Sequence, residues 1–339
     1  MDASARPPQR PAAPSRKEPS PVAAYRPATR PTMYFIGVTT RRSSIMKVFP
    51  AWAQALGLDA EISGIDLPID HTPDGYREVV AFIKDDPLSL GALVTTHKLN
   101  LFKAARDLFD RVGADAALLD EVSGIAKRDG LLWGNAMDPI SSGLSLEAIV
   151  PDGYWARTGA ELLLLGAGGS ALALTLYLHR RAAEGRDVPS RVIVTNRRPH
   201  RLEEMRAVHQ KIGFAIPADY HVAPTPEHND AQAGALKPGS LVVNATGLGK
   251  DRPGSPLTDA ATFPDEGIAW DFNYRGDLRF LRQARDSDRG VRVENGWTYF
   301  IHGWTRVIAE VFRIDIPTSG PEFDRLSEIA RSAARAGTA

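Results

Sequence analysis

The chain contains no cysteine. That absence excludes disulfide staples, a thiol nucleophile, thiolate zinc sites and iron–sulfur clusters together, and it fits a reducing, cytoplasmic setting. An excess of charge of either sign is also lacking. Forty-one Lys and Arg balance 41 Asp and Glu, so no global field draws nucleic acid or an anionic membrane surface. Apolar runs such as Leu162–Leu165 and Leu241–Val243 are far too short to span a bilayer. No H-E-x-x-H or comparable ligand spacing argues for a metal, and no G-x-S-x-G opens a serine-hydrolase route.

What is present is an ordinary globular composition, 43% hydrophobic and 24% charged, spread over 339 residues. That length exceeds the usual single core, so two domains are expected. Met1 to about Thr32 stands apart, rich in Pro, Ala and Arg, and reads as a disordered basic tail without the apolar stretch of a secretory signal. Ser332–Ala339 reads as a fraying end of small residues. Between them, strand-like runs at Met33–Val38, Ala60–Leu67 and Ala92–Thr95 alternate with helical spacing at Ile45–Leu58, Asp74–Lys84 and Leu99–Val112. A hairpin is expected around Asp129–Gly130. Later strands at Leu162–Leu165, Val192–Thr195, Leu241–Val243 and Ile268–Phe272 again alternate with helices, the pattern of a parallel, doubly wound sheet. The last helical pattern considered, Tyr299–Phe312, is expected to return to the first half.

Directly after Leu162–Leu165 comes Gly166-Ala167-Gly168-Gly169-Ser170-Ala171, a G-x-G-x-x-A turn between an apolar strand and a long helix. Gly166 permits the tight turn, Gly168 admits a pyrophosphate to the backbone, and Ala171 lets helix and strand pack closely. The free N–H groups of the helix start then face the phosphates. This context makes the loop a dinucleotide site rather than a structural turn. At the end of the next strand an NAD enzyme usually carries Asp or Glu. Thr195-Asn-Arg-Arg-Pro-His-Arg201 instead offers no carboxylate but Arg197, Arg198 and Arg201, which suit a 2′-phosphate, so NADP is the expected cofactor.

Lys98 follows a strand in Val94-Thr-Thr-His-Lys98, and Asp138 precedes the dinucleotide half in Gly134-Asn-Ala-Met-Asp138. A lysine tuned by a neighbouring carboxylate can give and take the proton that accompanies hydride transfer. Read alone, each residue is also an ordinary surface group. The joint occurrence of V-T-x-x-H-K at Lys98, VSGIAKRDGLLWGNAMD ending at Asp138, LLGAGGSA, VTNRRPHR, VVNATGLG at 242–249, DFNY at 271–274 and NGW at 295–297 resembles the shikimate dehydrogenase family, from Met33 to about Ile314. The resemblance implies an α/β fold with an N-terminal α/β substrate-binding domain (33–140 and 297–331), an NADP-binding Rossmann domain (141–296), and a cleft between them. It implies that Lys98 and Asp138 are the catalytic pair. Asn196, Arg197 and Arg201 fall on the NADP-selecting motif, Thr246 on a cofactor-loop position, and Tyr274 beside the substrate.

The departures gather at substrate contacts. Of a usual S-x-S pair the chain keeps Ser43 but has Ile45 in the second place, with Ser44 between them. Ser123 stands for an Asn, Ala136-Met137 for Asn-Thr, and Gly303 for a Gln beside His302; Thr95 lies in a segment one residue short. Ser43, Thr95, Ser123, Tyr274 and His302 are nevertheless the expected substrate contacts. Arg41 or Arg42 either grips a carboxylate or is a surface group. The expected activity is NADP-linked interconversion of alcohol and ketone on a carboxylated ring such as shikimate, with quinate or an aminated relative as alternatives. A catalytically weak NADP(H)-binding regulator is the reading from another class. No nucleic-acid or membrane partner is expected, and the chain is expected to act as a monomer or homodimer.

Overall fold

A computed structural model describes residues 25–250 and 252–335. Among these, the first sheet is built from β1 (Thr32–Gly37), β2 (Glu61–Asp66), β3 (Ser89–Val94), β4 (Arg111–Val112), β5 (Gly124–Arg128) and β6 (Leu131–Asn135). Its helices are α1 (Ile45–Leu56), α2 (Pro73–Asp85), α3 (Lys98–Ala105) and α4 (Ala114–Leu119). The spatial order is β2-β1-β3-β5-β6-β4, with β1 parallel to β2 and β3, and β5 antiparallel to β3 and β6. Alternation along β1 divides its side chains between two cores. Tyr34 and Ile36 pack with Val79, Ile83 and Phe102, while Met33 and Phe35 pack with Val48, Trp52 and Trp304. The expected hairpin is present: Asp129 (φ 52°) and Gly130 (φ 76°) both take the left-handed conformation that a two-residue turn with matching twist requires.

The link between the halves is α5 (Asp138–Ile149) and α6 (Tyr154–Thr158). The second half comprises β7 (Leu162–Leu165), α7 (Gly169–Ala183), β8 (Val192–Asn196), α8 (Pro199–Ile212), β9 (Ala218–Val222), α9 (Pro226–Gly234), β10 (Leu241–Asn244), β11 (Ile268–Asp271), α10 (Arg279–Arg285) and β12 (Arg292–Glu294). Its strands are all parallel in the order β12-β11-β10-β7-β8-β9. β7 shows why a strand buried on both faces reads as an unbroken apolar run: Leu162 and Leu164 enter one core, Leu163 and Leu165 the other. The chain runs outward from β7 through β8 and β9, then crosses to β10, so the order reverses between β7 and β10. That switch point is where α/β sheets open a crevice at their strand ends. Finally α11 (Trp297–Phe312) returns to pack on α5, β3 and β5, and α12 (Pro321–Arg335) packs on α1. Among the described residues no helix is long and apolar enough to cross a membrane.

Three expectations are corrected. Chain order starts before Thr32: Tyr25 stacks on Phe82 at 5.1 Å, and the Ala28 amide donates to Asp86 at 3.0 Å. These local partners outweigh a tail-like composition; residues 1–24 lie outside the described part. The helical spacing over Leu99–Val112 ends early, at Ala105, because the Asp110 amide donates to the Leu132 carbonyl at 2.9 Å and Arg111–Val112 joins the sheet beside β6. At the other end, α12 continues through Arg335, anchored by buried Phe323, Leu326 and Ala330, instead of fraying from Ser332.

Candidate active site

Three helix starts meet in one region. Lys98 is the first residue of α3, Asp138 the first of α5 and Gly169 the first of α7. The Lys98 ammonium donates to an Asp138 carboxylate oxygen, and the two side chains are only 22% and 14% exposed. A strained turn delivers Lys98 to this position. Thr96 has φ +59°, an outlier for a β-branched residue, and the His97 amide donates to the Thr95 carbonyl at 2.5 Å. His97 itself is buried, its Nδ1 within 2.8 Å of the Tyr76 hydroxyl, and acts as the anchor of that turn.

Burial alone would depress the Lys98 pKa. The negative charges of Asp138 and Glu121 and the hydrogen bond to Asp138 outweigh it and hold the ammonium above its ordinary value. Glu121, just before β5, is 4% exposed, and its carboxyl is pushed up to about 7 by burial, with Lys98 opposing and Asp138 reinforcing the shift. The Tyr299 hydroxyl on α11 is raised well above its usual range by burial and by Asp138, with its bond to Ser170 of α7 opposing. The neighbourhood therefore holds one ammonium, one carboxylate partner, a second carboxyl poised between states, and a neutral phenol.

Ser123 supports this arrangement from beneath. It is 2% exposed, and its hydroxyl accepts the Met137 amide at 2.7 Å, fixing the turn that starts α5 at Asp138. Its acceptor capacity thus serves the backbone. Ser123→Ala is expected to lower unfolding free energy by about 1–3 kcal/mol, the penalty for a buried N–H left without a partner. Unchanged denaturant stability together with a raised KM would overturn that positioning role.

Across the switch point, Gly166 adopts φ +111°, and a Cβ there would lie 2.9 Å from the Ala245 carbonyl oxygen. Ala167 and Ala171 are buried, whereas Gly168 and Gly169 are exposed, and a Cβ added at Gly168 would meet nothing within 4 Å. Among the described residues no side chain caps the start of α7, which leaves its first N–H groups without a side-chain acceptor. A buried network shapes the loops opposite. Asn244 accepts the Thr246 hydroxyl at 2.6 Å and donates to Asp271 at 3.1 Å, while Asn273 donates to Asp271 at 2.8 Å and to the Leu248 carbonyl at 3.0 Å. Burial pushes the Asp271 carboxyl up to about 6 against those donors. This network sets Thr246 beside the glycine turn and projects Tyr274 toward the first half, where its hydroxyl reaches Ser44 at 3.5 Å.

At the end of β8, the Asn196 side chain accepts the Arg198 amide at 2.9 Å and shapes the turn into α8. Arg197 and Arg198 are exposed, and among the described residues neither has a carboxylate partner; Arg201 pairs with Glu204 at 2.9 Å. Two such guanidinium groups thus flank the strand end next to β7.

The expected substrate contacts divide. Thr95 stands near Gly37, with its methyl 3.1 Å from where a Cβ on that glycine would be. Ser43 lies in the turn before α1, but Ser44, not Ser43, meets Tyr274. His302 does not join the group: it is 1% exposed, stacked on Phe323 at 4.5 Å, and burial lowers its pKa to about 4. On α11, stacked against Phe323 of α12, it occupies a core position. Arg41 and Arg42 are both exposed, and the Arg42 carbonyl accepts from Arg275 at 3.2 Å. Sequence reasoning missed Glu121 and Tyr299. A glutamate in a short loop reads as a solvated group, and Tyr299 as one more aromatic in an apolar helix.

No family model matches the chain. An NADP-dependent shikimate dehydrogenase of Thermus thermophilus is 28% identical over 244 residues, 72% of this chain and 78% of that protein. That of Methylocella silvestris is 28% identical over 304 residues, 89% of this chain and 97% of that one. A crystal structure of shikimate 5-dehydrogenase from Thermus thermophilus, in complex with NADP(H) and shikimate, superposes with a TM-score of 0.64 at 24% identity, covering 89% of this chain and 99% of that one. In sequence over most of its length, and in fold over nearly all of it, the chain is similar to the shikimate dehydrogenases.

Proposed function

We propose that the chain is an NADP-dependent oxidoreductase interconverting a secondary alcohol and a ketone on a carboxylated ring, shikimate or a close relative such as quinate. The observation that carries this reading is the Lys98–Asp138 pair, held at the starts of α3 and α5, with Glu121 linking it to the first turn of α7. The residues suit NADP: an open glycine turn, uncapped helix N–H groups, and Arg197 and Arg198 without carboxylate partners among the described residues at the adjacent strand end. NADP, when bound, supplies or accepts the hydride. Lys98 holds a proton at Nζ and delivers it to the oxygen of the reduced carbonyl, or removes it in the reverse direction. Asp138 keeps that ammonium charged and oriented. The first sheet with α11 forms the substrate side, and the second sheet the dinucleotide side. Tyr274, whose hydroxyl meets Ser44 of the first half, orients the ring.

Purified protein should consume NADPH with 3-dehydroshikimate-type ketoacids and prefer it to NADH. Arg197→Ala should erode that preference by roughly 10- to 100-fold, the worth of one charge-assisted contact. Equal use of both cofactors by the parent would sink the arginine clamp. Tight NADPH binding without turnover on any ketoacid would instead favour a regulator.

A further inference from the structure

Glu121 has so far entered only through its charge on Lys98 and its place beside α7, yet it is a buried carboxyl at the meeting of the helix starts. It is 4% exposed, and its Oε1 is buried without a hydrogen-bond partner among the described residues. Its Oε2 lies 3.3 Å from where a Cβ on Gly169 would be, so the carboxyl is aimed at the first residue of the 15-residue helix α7. The groups acting on it are Lys98 from α3 and Asp138 from α5, and Glu121 in turn acts on Tyr299 of α11, beside the uncharged Ser170 of α7. An ionised carboxylate here would gain from the positive end of α7. It would also stand where a dinucleotide diphosphate must come, and two anions cannot share one helix start without a proton between them.

We propose that Glu121 is a dinucleotide-contacting residue that accompanies cofactor binding as the neutral acid, donating its proton in a hydrogen bond to a diphosphate oxygen at the first turn of α7. The inference rests on the proposed NADP reading. The structural signature is the pair of observations together: Oε2 faces the first residue of α7, and the buried Oε1 has no partner among the described residues, so no protein group fixes where the carboxyl carries its proton. Its poise near neutrality in the free protein makes the proton available, since a nearby anion raises it further. Above neutral pH, binding must therefore take up a proton from solvent. Affinity falls as pH rises, by at most about tenfold per pH unit.

The test is calorimetric titration of the full chain with NADPH between about pH 6 and 8.5, in buffers of differing ionisation enthalpy, for the parent and for Glu121→Gln. The parent should take up more protons than the variant near pH 8, by close to one per site. The ratio of parent to variant Kd should climb roughly tenfold from pH 7 to 8.5. Comparing the two proteins cancels titration of the cofactor's own phosphates. Adenosine 2′,5′-bisphosphate, which lacks the diphosphate link, should show no difference in proton uptake between them. Identical uptake and parallel pH profiles with NADPH would overturn the role of Glu121 while leaving the NADP reading intact. Failure of the folded parent to bind NADPH at any pH would overturn that reading itself.

Discussion

Lys98→Ala should lower NADPH-dependent turnover by about 10²- to 10⁴-fold, the usual worth of a positioned acid–base group, while the Kd for NADPH changes little. The reasoning starts from the charge state. Asp138, by its charge and its hydrogen bond, holds the Lys98 ammonium above its ordinary pKa despite burial, with Glu121 adding to this only while ionised, so at neutral pH the group is charged and ready to donate in the reductive direction. In the oxidative direction it must first lose that proton, so the rate should rise with pH well into the alkaline range. The sign of the stability linkage keeps these effects separate. A lysine raised on folding contributes stability that is fully present below its unfolded pKa and is lost only as pH rises through the folded value. The contribution of the Lys98 charge itself is therefore constant across the neutral range, where Glu121 is the neighbouring group that titrates, so rate profiles are compared with those of Glu121→Gln. Removing the ammonium leaves the 14% exposed Asp138 side chain without its ion-pair partner, so folding must be checked through NADPH binding and thermal unfolding. Asp138→Asn, which preserves shape, serves as the second variant. If both folded variants keep more than about a tenth of the parent activity, the pair is not the acid–base group.

Gly166→Ala should weaken NADPH binding by roughly 30-fold or more, through backbone strain of about 1–3 kcal/mol plus a steric clash. Gly166 sits at φ +111°, which L side chains rarely adopt, and the added Cβ would press on the Ala245 carbonyl oxygen at 2.9 Å and its carbon at 3.1 Å. Neither neighbour can yield cheaply. The Gly166 amide donates to Thr195 at 2.9 Å and the Ala245 amide to Leu165 at 2.9 Å, so both sides of the contact are tied to central strands. Gly168→Ala is the informative contrast. Its φ of −90° suits any residue, and its Cβ would meet nothing in the free protein. It should therefore leave thermal stability unchanged and weaken only cofactor binding, because that space is kept for the ligand. Normal NADPH affinity in Gly166→Ala would refute the turn argument; normal affinity in Gly168→Ala would show that the dinucleotide does not approach there.

Much of this was legible from one dimension. The strand runs, the G-x-G-x-x-A turn and the Asp129–Gly130 hairpin depend on local backbone preference and on burial of contiguous residues, and each occurs where the pattern puts it. The missing acid and the arginine run after β8 needed only the knowledge of which strand follows the glycine turn. Lys98 and Asp138 were legible through resemblance alone, since nothing local sets a Lys or an Asp apart from a solvated charge.

The sequence by itself determined the parallel dinucleotide half, its glycine turn and the basic strand end, because these follow from periodicity, chirality and residue shape within short windows. Only the tertiary structure decided which polar groups share a low-dielectric space. It brought Glu121 and Tyr299 to the Lys98–Asp138 pair, turned Ser123 inward to hold the Met137 amide, and sent His302 beneath Phe323. Those outcomes depend on how three helix starts and the returning α11 pack together across some two hundred residues of chain. Electrostatic neighbours are set by distance in space, and no local spacing rule carries that information.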